Sequence, residues 1–269
     1  MDRAAVADKK ESGAGIILKT PGEIALMRAA GRVVAAALRA MREAIVPGRT
    51  TTHDLEQVAV RVLTEHGASS PFLGYAPHSH PPYPAWTCIS VNEQVVHGVP
   101  GRRVLQEGDI VGCDVGVNLN GCFADSAWTF PVGRVSPETA RLLRVAEEAL
   151  YKGIEQARPG KRLGDIGHAI HTWVRRHGYS VVREMVGHGI GRALHEEPQV
   201  PNFGKPGTGP ILREGMTICI EPMVNAGKRE IEALDDEWTI VTRDRSLSAH
   251  FEHTVAITKT GPEILTRGV

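Results

Sequence analysis

Four acidic residues stand in apolar, strand-like stretches of this sequence, and their placement is the first sign of chemistry. They are Asp114, Asp125, Glu221 and Glu252. Burying a charged carboxylate is costly unless it is paired or bound to a metal. Four such acids close together would repel one another and raise one another's pKa values. Divalent cations would remove that conflict and accept carboxylate oxygens as ligands, so the pattern predicts a metal site.

A predicted hairpin brings the first two acids onto one face. The Asn-Gly pair at 120–121 lies between two β-prone runs and predicts a two-residue hairpin loop. That register places Gly116 opposite Asp125. Because side chains alternate along a strand, Asp114 and Asp125 would be diagonal neighbours about 7–8 Å apart. Gly116 would leave room beside them for one or two cations. The alternative, that both acids are solvated on an exposed sheet face, stays open on this evidence alone.

Three histidines stand in sequence contexts that could place them beside these acids. His188 stands between glycines in Gly187–Gly191, His195 follows seven residues later, and His97 comes directly after a short apolar run. Imidazole binds metals and carries protons near neutral pH, but a single histidine is more often structural. The remaining histidines indicate no function: His66, His168, His171 and His177 fall on helices or their ends, and His78 and His80 fall in a proline-rich loop where we expect them to be solvated.

The elements that must position these groups form a repeat. Apolar residues at a spacing near 3.6 predict helices at about 21–44, 52–65, 137–157 and 163–176. Thr20-Pro21 with Glu23 is typical of a helix start. A Pro-Gly pair breaks the first helix of each pair, and a His-Gly pair ends the second helix. The chain therefore contains the same pair of helices twice.

Strands follow each helix pair and extend the repeat to the acids. A Glu-Gly turn precedes a strand that ends at Asp114, and a second Glu-Gly turn precedes a strand that ends at Glu221. The two acids and the two turns are separated by the same 107 positions. The alternation in His250–Ile257 predicts one further continuous strand, with Glu252 on its polar face. We expect two pseudo-symmetric halves, at about 16–133 and 134–269, each supplying a carboxylate to one site.

The combined motifs resemble the type I methionine aminopeptidases of bacteria over residues from about 17 to the end. The resemblance rests on five motifs in order: Cys88–Glu93 with Val96–Gly98, Asp114 with Asp125-Ser126, Gly187–Gly191 with His195–Pro198, Ile220–Met223, and Phe251–Thr254. It implies an α+β pita-bread fold, a curved and mainly antiparallel sheet with two pseudo-symmetric halves and outer helices. It also implies a metal-dependent exopeptidase that removes the initiator methionine and prefers a small second residue.

The same resemblance implies the site residues. Two divalent ions (Co, Mn, Fe, Ni or Zn) would be held by Asp114, Asp125, His188, Glu221 and Glu252. Glu221 would accept a proton from the attacking water, and His97 and His195 would be the other catalytic groups. Candidates for the methionine pocket are Phe72, Tyr75, Cys88, Leu194 and Trp238, although each could be ordinary core. Whether Tyr75 or Tyr83 lines that pocket is open, because the loop 76–87 is longer than is usual in the family. Asn92 and Ser248 match a site for a monovalent cation, Na or K.

Composition limits the remaining classes. Lys plus Arg and Asp plus Glu both number 31, so the net charge is zero and a DNA-binding protein is disfavoured. No apolar stretch is long enough to predict a membrane span. The charged N-terminus predicts a disordered leader at 1–15 rather than a secretory signal. Four cysteines without a paired spacing fit a reducing cytoplasm.

We therefore expect a cytoplasmic monomer that acts on the N-terminal methionine of nascent polypeptides, with a possible transient ribosome contact. Two other classes remain to be weighed. A pita-bread binding protein that has lost catalysis should lack ligands, whereas all five are present. A proline-directed peptidase of the same fold should have an additional N-terminal domain.

Overall fold

The computed structural model describes residues 15–77 and 80–269. The predicted disordered leader lies outside these ranges except for Gly15, and His78 lies outside them as well. The element order is two helices, four strands, two helices and ten strands, so the predicted repetition of helix pairs is present in the chain.

Four helices carry the outer layer. They are α1 (Pro21–Glu43), α2 (Thr52–Glu65), α3 (Pro137–Ile154) and α4 (Leu163–Arg176). The predicted start of α1 is confirmed, since the Thr20 side chain accepts from the backbone of Glu23 and the Glu23 side chain caps Thr20 in return. The predicted end of α3 near residue 157 is wrong by one turn. The chain leaves the helix before Arg158-Pro159, where proline disfavours helical geometry in the preceding residue.

The described strands pair antiparallel in four small sheets. In chain order the strands are β1 (Cys88–Val91), β2 (Gln94–Val96), β3 (Ile110–Leu119), β4 (Cys122–Pro131), β5 (Ser180–Val181), β6 (Gly187–Gly189), β7 (Glu196–Val200), β8 (Thr217–Ile220), β9 (Met223–Asn225), β10 (Ile231–Ala233), β11 (Ile240–Thr242), β12 (Ser248–His250), β13 (His253–Thr258) and β14 (Gly261–Ile264). The sheet orders are β1-β3-β4, β10-β11-β2, β12-β9-β5 and β14-β13-β8-β6-β7.

The hairpin of β3 and β4 has the predicted register. Gly116 pairs with Asp125 and Asp114 pairs with Ala127. Asn120 and Gly121 both have positive φ, 54° and 79°, as a tight hairpin turn of the primed type requires. The prediction that the first strand ends at Asp114 is wrong. It continues to Leu119, because the partner strand supplies ladder hydrogen bonds along the whole length.

The predicted continuous strand from His250 to Ile257 is also wrong, because the chain breaks between β12 and β13 at Phe251 and Glu252. At the break the Glu252 amide donates to the carbonyl of Ala127 over 2.8 Å. One residue pair further on, the Thr254 hydroxyl donates to the carbonyl of Asp125 over 2.8 Å. These bonds attach the second half of the chain to β4 of the first.

Each helix pair covers its own part of the core. One apolar cluster joins α1 and α2 to β1, β3 and β4, and a second joins α3 and α4 to β8 and β13. Trp128 packs against both clusters, with its ring centroid 4.9 Å from that of Phe251. Equivalent bonds recur behind the helices, from the Gly48 amide to Leu105 over 2.7 Å and from the Gly160 amide to Leu212 over 2.9 Å. The division into halves at 16–133 and 134–269 stays a prediction.

None of the described helices has the length and apolar character needed to cross a bilayer.

Candidate metal centre and substrate pocket

Three of the predicted acids converge where the hairpin of β3 and β4 meets the break before β13. Side-chain oxygens of Asp114, Asp125 and Glu252 all lie within 4.8 Å of one another. The hairpin supplies the first two from adjacent strands, and the break before β13 turns Glu252 towards them. The predicted diagonal pair is therefore present, and Glu252 joins it although it lies outside the regular strands.

The raised pKa values of the four acids show that their charged forms are unfavourable unless a cation binds them. Burial raises the pKa of Asp114 well above its usual range, and the charges of Asp125 and Glu252 raise it further. Burial raises the pKa of Asp125 to about 7. It also raises the pKa values of Glu221 and Glu252, with neighbouring carboxylates adding to the effect. Asp125 and Glu252 are buried, and Asp114 and Glu221 are half-buried. Carboxylates so close together and so poorly solvated would give up much of their charge unless a cation binds them.

Unpartnered oxygens give a second, independent sign that a cation fits here. Within the described part of the chain, Asp114 Oδ1, Asp125 Oδ1 and Glu252 Oε1 are buried without a hydrogen-bond partner. Buried polar atoms are normally paired, and a bare carboxylate oxygen is a preferred ligand for divalent cations. The residues present therefore fit a divalent metal.

His188 and Glu221 lie on one side of these acids. His188 Nε2 is 3.7 Å from Glu221 Oε1, and His188 Nδ1 is 2.9 Å from the carbonyl of Gly189. Burial, then the neighbouring His195, lowers the pKa of His188 to about 3, so the ring is neutral near pH 7. With Nδ1–H donating to the backbone, Nε2 keeps its lone pair for a metal.

Cys219 is a neighbour of this site that was not among the predicted site residues, although strand alternation places it on the face of Glu221. Its sulfur lies within 4.8 Å of ligand atoms of His188 and Glu252. Burial raises the pKa of this thiol well above its usual range, and the charge of Glu252 raises it further. Metals bind the thiolate, so the surrounding acids oppose ligation by Cys219.

His97 and His195 are neutral groups beside the acids. Burial, then the neighbouring His195, lowers the pKa of His97 to about 4. Partial loss of solvation in the cavity lowers the pKa of His195 to about 4 although the residue is exposed, and its ring centroid is 4.3 Å from that of His188. His97 holds a positive φ of 60°, which is a strained backbone for this residue and typical of functional positions.

His250 is a second buried group that was missed at the sequence level. Its Nε2 lies 3.7 Å from Glu221 Oε2 and, among the described residues, has no hydrogen-bond partner. Burial, then the neighbouring His97, lowers its pKa to about 3. The usable signal was its position two residues before Glu252, which places both on one face of an extended segment.

A single cavity of about 700 Å³ contains all five predicted metal ligands together with His97 and His195. The predicted methionine-pocket residues also line it: Phe72, Tyr75, Cys88, Leu194 and Trp238. His80, expected to be solvated, is exposed, and its ring lies 5.3 Å from that of Trp238 at the cavity rim.

Both candidate tyrosines line the cavity, and which of them lines a methionine pocket stays a prediction. Tyr83 is buried, its hydroxyl lies 3.1 Å from the carbonyls of Thr87 and Gly98, and its ring stands edge-on to Trp238 at 5.1 Å. Tyr75 is only partly buried, with its ring 5.1 Å from that of His195.

Asn92 and Ser248 are neighbours outside the cavity lining. The Ser248 amide donates to the Asn92 carbonyl over 2.9 Å. Both side chains already have protein partners, since Asn92 bonds Asp109 and Ile110, and the Ser248 hydroxyl donates to Asn225. The monovalent cation site stays a prediction.

Comparison with known proteins defines the class first: the chain belongs to metallopeptidase family M24, whose model matches residues 25–259. The individual relatives are methionine aminopeptidases. Methionine aminopeptidase 1 of Bacillus subtilis (strain 168) is 52% identical over 252 residues, which are 94% of this chain and 99% of that protein. Methionine aminopeptidase of Clostridium perfringens is also 52% identical, over 93% of this chain and 98% of that protein.

Solved structures agree with the family. Methionine aminopeptidase of Thermotoga maritima has a TM-score of 0.90 and 48% identity, covering 93% of this chain and 99% of that one. The prolidase of Pyrococcus horikoshii OT3 has a TM-score of 0.74 at 23% identity, and the match covers 94% of this chain and 64% of the prolidase. At this identity the likeness shows the fold alone. The predicted α+β pita-bread fold and the predicted family are confirmed.

Proposed function

We propose that this protein is a metal-dependent exopeptidase that removes N-terminal methionine from polypeptides and prefers a small second residue. The observation that carries the proposal is the convergence of all five predicted ligands, with two neutral histidines, on one partly apolar cavity. Close similarity to bacterial methionine aminopeptidases over nearly the whole chain supports it.

Asp114, Asp125, His188, Glu221 and Glu252 would hold two divalent ions. A carboxylate set with one imidazole suits Mn, Fe, Co, Ni or Zn. When bound, such ions polarise the scissile carbonyl and lower the pKa of water at the site. Two clusters overlap at Glu252, one with both aspartates and one with His188 and Cys219. Since the acids oppose ligation by Cys219, the second position would use His188 and Glu252 with Glu221, which lies 3.7 Å from His188.

Different side chains carry out proton transfer, hydrogen bonding to the substrate and binding of the methionine side chain. Glu221, flanked by neutral imidazole nitrogens at 3.7 Å on either side, accepts the proton of the attacking water. His195 donates a hydrogen bond to the oxygen on which negative charge develops. His97 donates near the scissile nitrogen. Phe72, Tyr83 and Trp238 enclose an apolar side chain of methionine's length.

The decisive experiment is methionine release by metal-free protein from Met-Ala-Ser and Met-Leu-Ser, with Mn, Fe, Co, Ni or Zn added back separately. We expect release from Met-Ala-Ser with at least one metal, and much slower release from Met-Leu-Ser. Absence of release with every metal would contradict the activity and favour a binding protein. Equal rates for the two peptides would contradict the preference for a small second residue.

A matched pair of variants tests the role of Glu221. Glu221→Gln removes the proton acceptor, whereas Glu214→Gln makes the same change at an exposed turn 7 positions earlier in the chain. An Ala-Pro dipeptide added to the assay tests the proline-directed alternative. Release of alanine from it in preference to methionine from Met-Ala-Ser would favour that alternative.

The finer properties are part of the same proposal. The enzyme acts in the cytoplasm on nascent chains, works as a monomer, makes a transient contact with the ribosome, and binds Na or K near Asn92 and Ser248. Sedimentation of the protein alone and with ribosomes tests the assembly state and the contact. A melting temperature that is the same in Na, K and tetramethylammonium salts would count against the cation site.

A further inference from the structure

The loop that carries His195 is tied to the segment before α1 by a buried ion pair. The Lys19 ammonium group contacts Glu196 Oε2 and donates to the carbonyl of Ile17 over 3.1 Å. The two charged side chains are only 1% and 4% exposed. The Lys19 amide also donates to the carbonyl of Gly215 over 2.7 Å, which fixes this segment to the turn before β8.

The second carboxylate oxygen of Glu196 accepts hydrogen bonds from the loop that carries His195. Glu196 Oε1 accepts from the amide of Arg192 over 2.6 Å and from the amide of Ala193 over 3.1 Å. The carboxylate therefore links Lys19 to the turn that leads into His195. Residues 191–195 form bends rather than helix or strand. The bonds to Glu196 hold this turn together with two backbone bonds, from the Phe123 amide to the Gly191 carbonyl over 2.9 Å and from the Gly191 amide to the Ala193 carbonyl over 3.1 Å.

The packing around Lys19 shows a close fit. A Cβ at Gly191 would lie 2.3 Å from Lys19 Cε, so a larger residue there would displace the end of the lysine side chain. A second link runs beside the first, since Arg192 Nε donates to Glu23 Oε1 in the first turn of α1 over 2.7 Å. The loop is thus attached to the start of α1 at two points.

We propose that Lys19 is a positioning residue that acts through Glu196 to place the His195 ring beside the metal ligands. This inference rests on the proposed function, because it takes His195 to contact the substrate. Removing the ammonium group leaves a buried carboxylate without its cation, and such a charge moves towards water or takes up a proton. Either change weakens the bonds to Arg192 and Ala193, and the His195 ring loses its fixed distance of 4.3 Å from His188.

The test is a double-mutant cycle with Lys19→Met and His195→Ala, assayed on Met-Ala-Ser with Mn. Methionine keeps the length of the lysine stem and removes only the cation. We expect Lys19→Met to lower kcat by about tenfold or more, since small displacements of a positioned group cost up to about 10²-fold. KM and calorimetric Mn affinity should change little. In the His195→Ala background the same substitution should change kcat by less than about twofold.

Arg28→Met is the matched control, because Arg28 is a cation of α1 whose ion pair with Glu263 lies elsewhere. It should leave kcat within about twofold. If Lys19→Met does not give folded protein, Glu196→Gln enters the cycle in its place, since it removes the charge while its amide oxygen can still accept from the loop.

Three results would overturn the inference: an unchanged kcat in Lys19→Met, a loss of kcat that only follows the loss of Mn affinity, or an equal loss in both His195 backgrounds. Failure of the proposed function is recognised separately. In that case the unmodified protein releases no methionine, or His195→Ala alone leaves kcat unchanged.

Discussion

The imidazole rings around the cavity are neutral bases rather than cations. Loss of solvation lowers the pKa values of His97 and His195 to about 4 and that of His188 to about 3. At neutral pH each ring therefore has one N–H donor and one lone pair. This state lets His188 offer a lone pair to a metal while the other two donate to a substrate, all without adding positive charge that would repel a cation.

His97 is expected to act on the substrate and not on the metal. His97→Ala should lower kcat by about 10²-fold, the scale of a lost acid–base or hydrogen-bonding group, because it removes a donor beside the scissile bond. Metal content, measured by atomic emission, should stay near normal. His66→Ala, at the exposed end of α2, is the control. A metal loss that parallels the loss of turnover would assign His97 to the metal centre instead.

At the scale of single elements, the hairpin of β3 and β4 does more than hold the two aspartates. We predicted that Gly116, having no side chain, leaves space for cations beside Asp114 and Asp125. This prediction is wrong. A Cβ at this position would lie 2.7 Å from Phe72 Cε1 and 3.0 Å from Pro71 Cγ. The space beside Gly116 is therefore filled by the phenyl ring that lines the substrate cavity.

Gly116→Ala should consequently affect substrate binding before it affects the metal. The added methyl group displaces Phe72, and overpacking of this kind costs roughly 1–3 kcal/mol. We expect a higher KM for Met-Ala-Ser and an unchanged calorimetric Mn affinity. Gly112→Ala in the same strand meets only ordinary contacts of 3.5 Å or more and is the control. Weaker Mn binding with an unchanged KM would restore the first interpretation of Gly116.

The elements show which parts of the site a sequence can predict. The helix pairs and the hairpin register follow from local periodicity and from one Asn-Gly turn, so Asp114 and Asp125 could be paired correctly. Glu252 could not be placed in the same way. Its segment leaves the strand to bond Ala127, a partner far away in sequence. His250 lies two residues before Glu252, which the local pattern could have indicated, but its approach to Glu221 joins it to a partner 29 positions earlier in the chain.

At the scale of the whole molecule, the cation site lies where the two parts of the core meet. One helix pair packs behind β3 and β4, the other behind β8 and β13, and the acids project from both sides of that boundary. Without a cation, the junction brings together carboxylates whose raised pKa values report mutual repulsion as well as burial. Metal binding should therefore stabilise the whole fold and not only the cavity.

Metal should raise the melting temperature more at pH 8 than at pH 6. Asp125 has its pKa raised to about 7, so its favourable protonated form is lost as pH rises through 7. Binding at pH 6 must first remove that proton, whereas at pH 8 the carboxylate is ready. His188, with a pKa of about 3, is neutral at both values.

With Mn at about 100 times its Kd, the stabilisation is about 2.7 kcal/mol, which for a chain of this size corresponds to about 5–10 °C. Scanning calorimetry of metal-free and Mn-loaded protein at both pH values measures it. Asp125→Asn, which removes the group with a pKa of about 7, should weaken the pH dependence, while the raised pKa values of Asp114, Glu221 and Glu252 keep part of it. A larger shift at pH 6 than at pH 8 in the unmodified protein would contradict the assignment.

The hydrogen bond between Glu252 and Ala127 also bears on the order of folding steps. It closes a chain segment of more than a hundred residues. Contacts of such long range form late, because closing the loop costs conformational entropy before the contact contributes any stabilisation. The hairpin alone brings Asp114 and Asp125 together, whereas Glu252 joins them only in that closing step. When the chain folds without metal, the repulsion between these carboxylates is therefore greatest at the end of folding, after most other contacts have formed. Cations present during refolding should speed this last step, and enzymatic activity should be the final property that the protein regains.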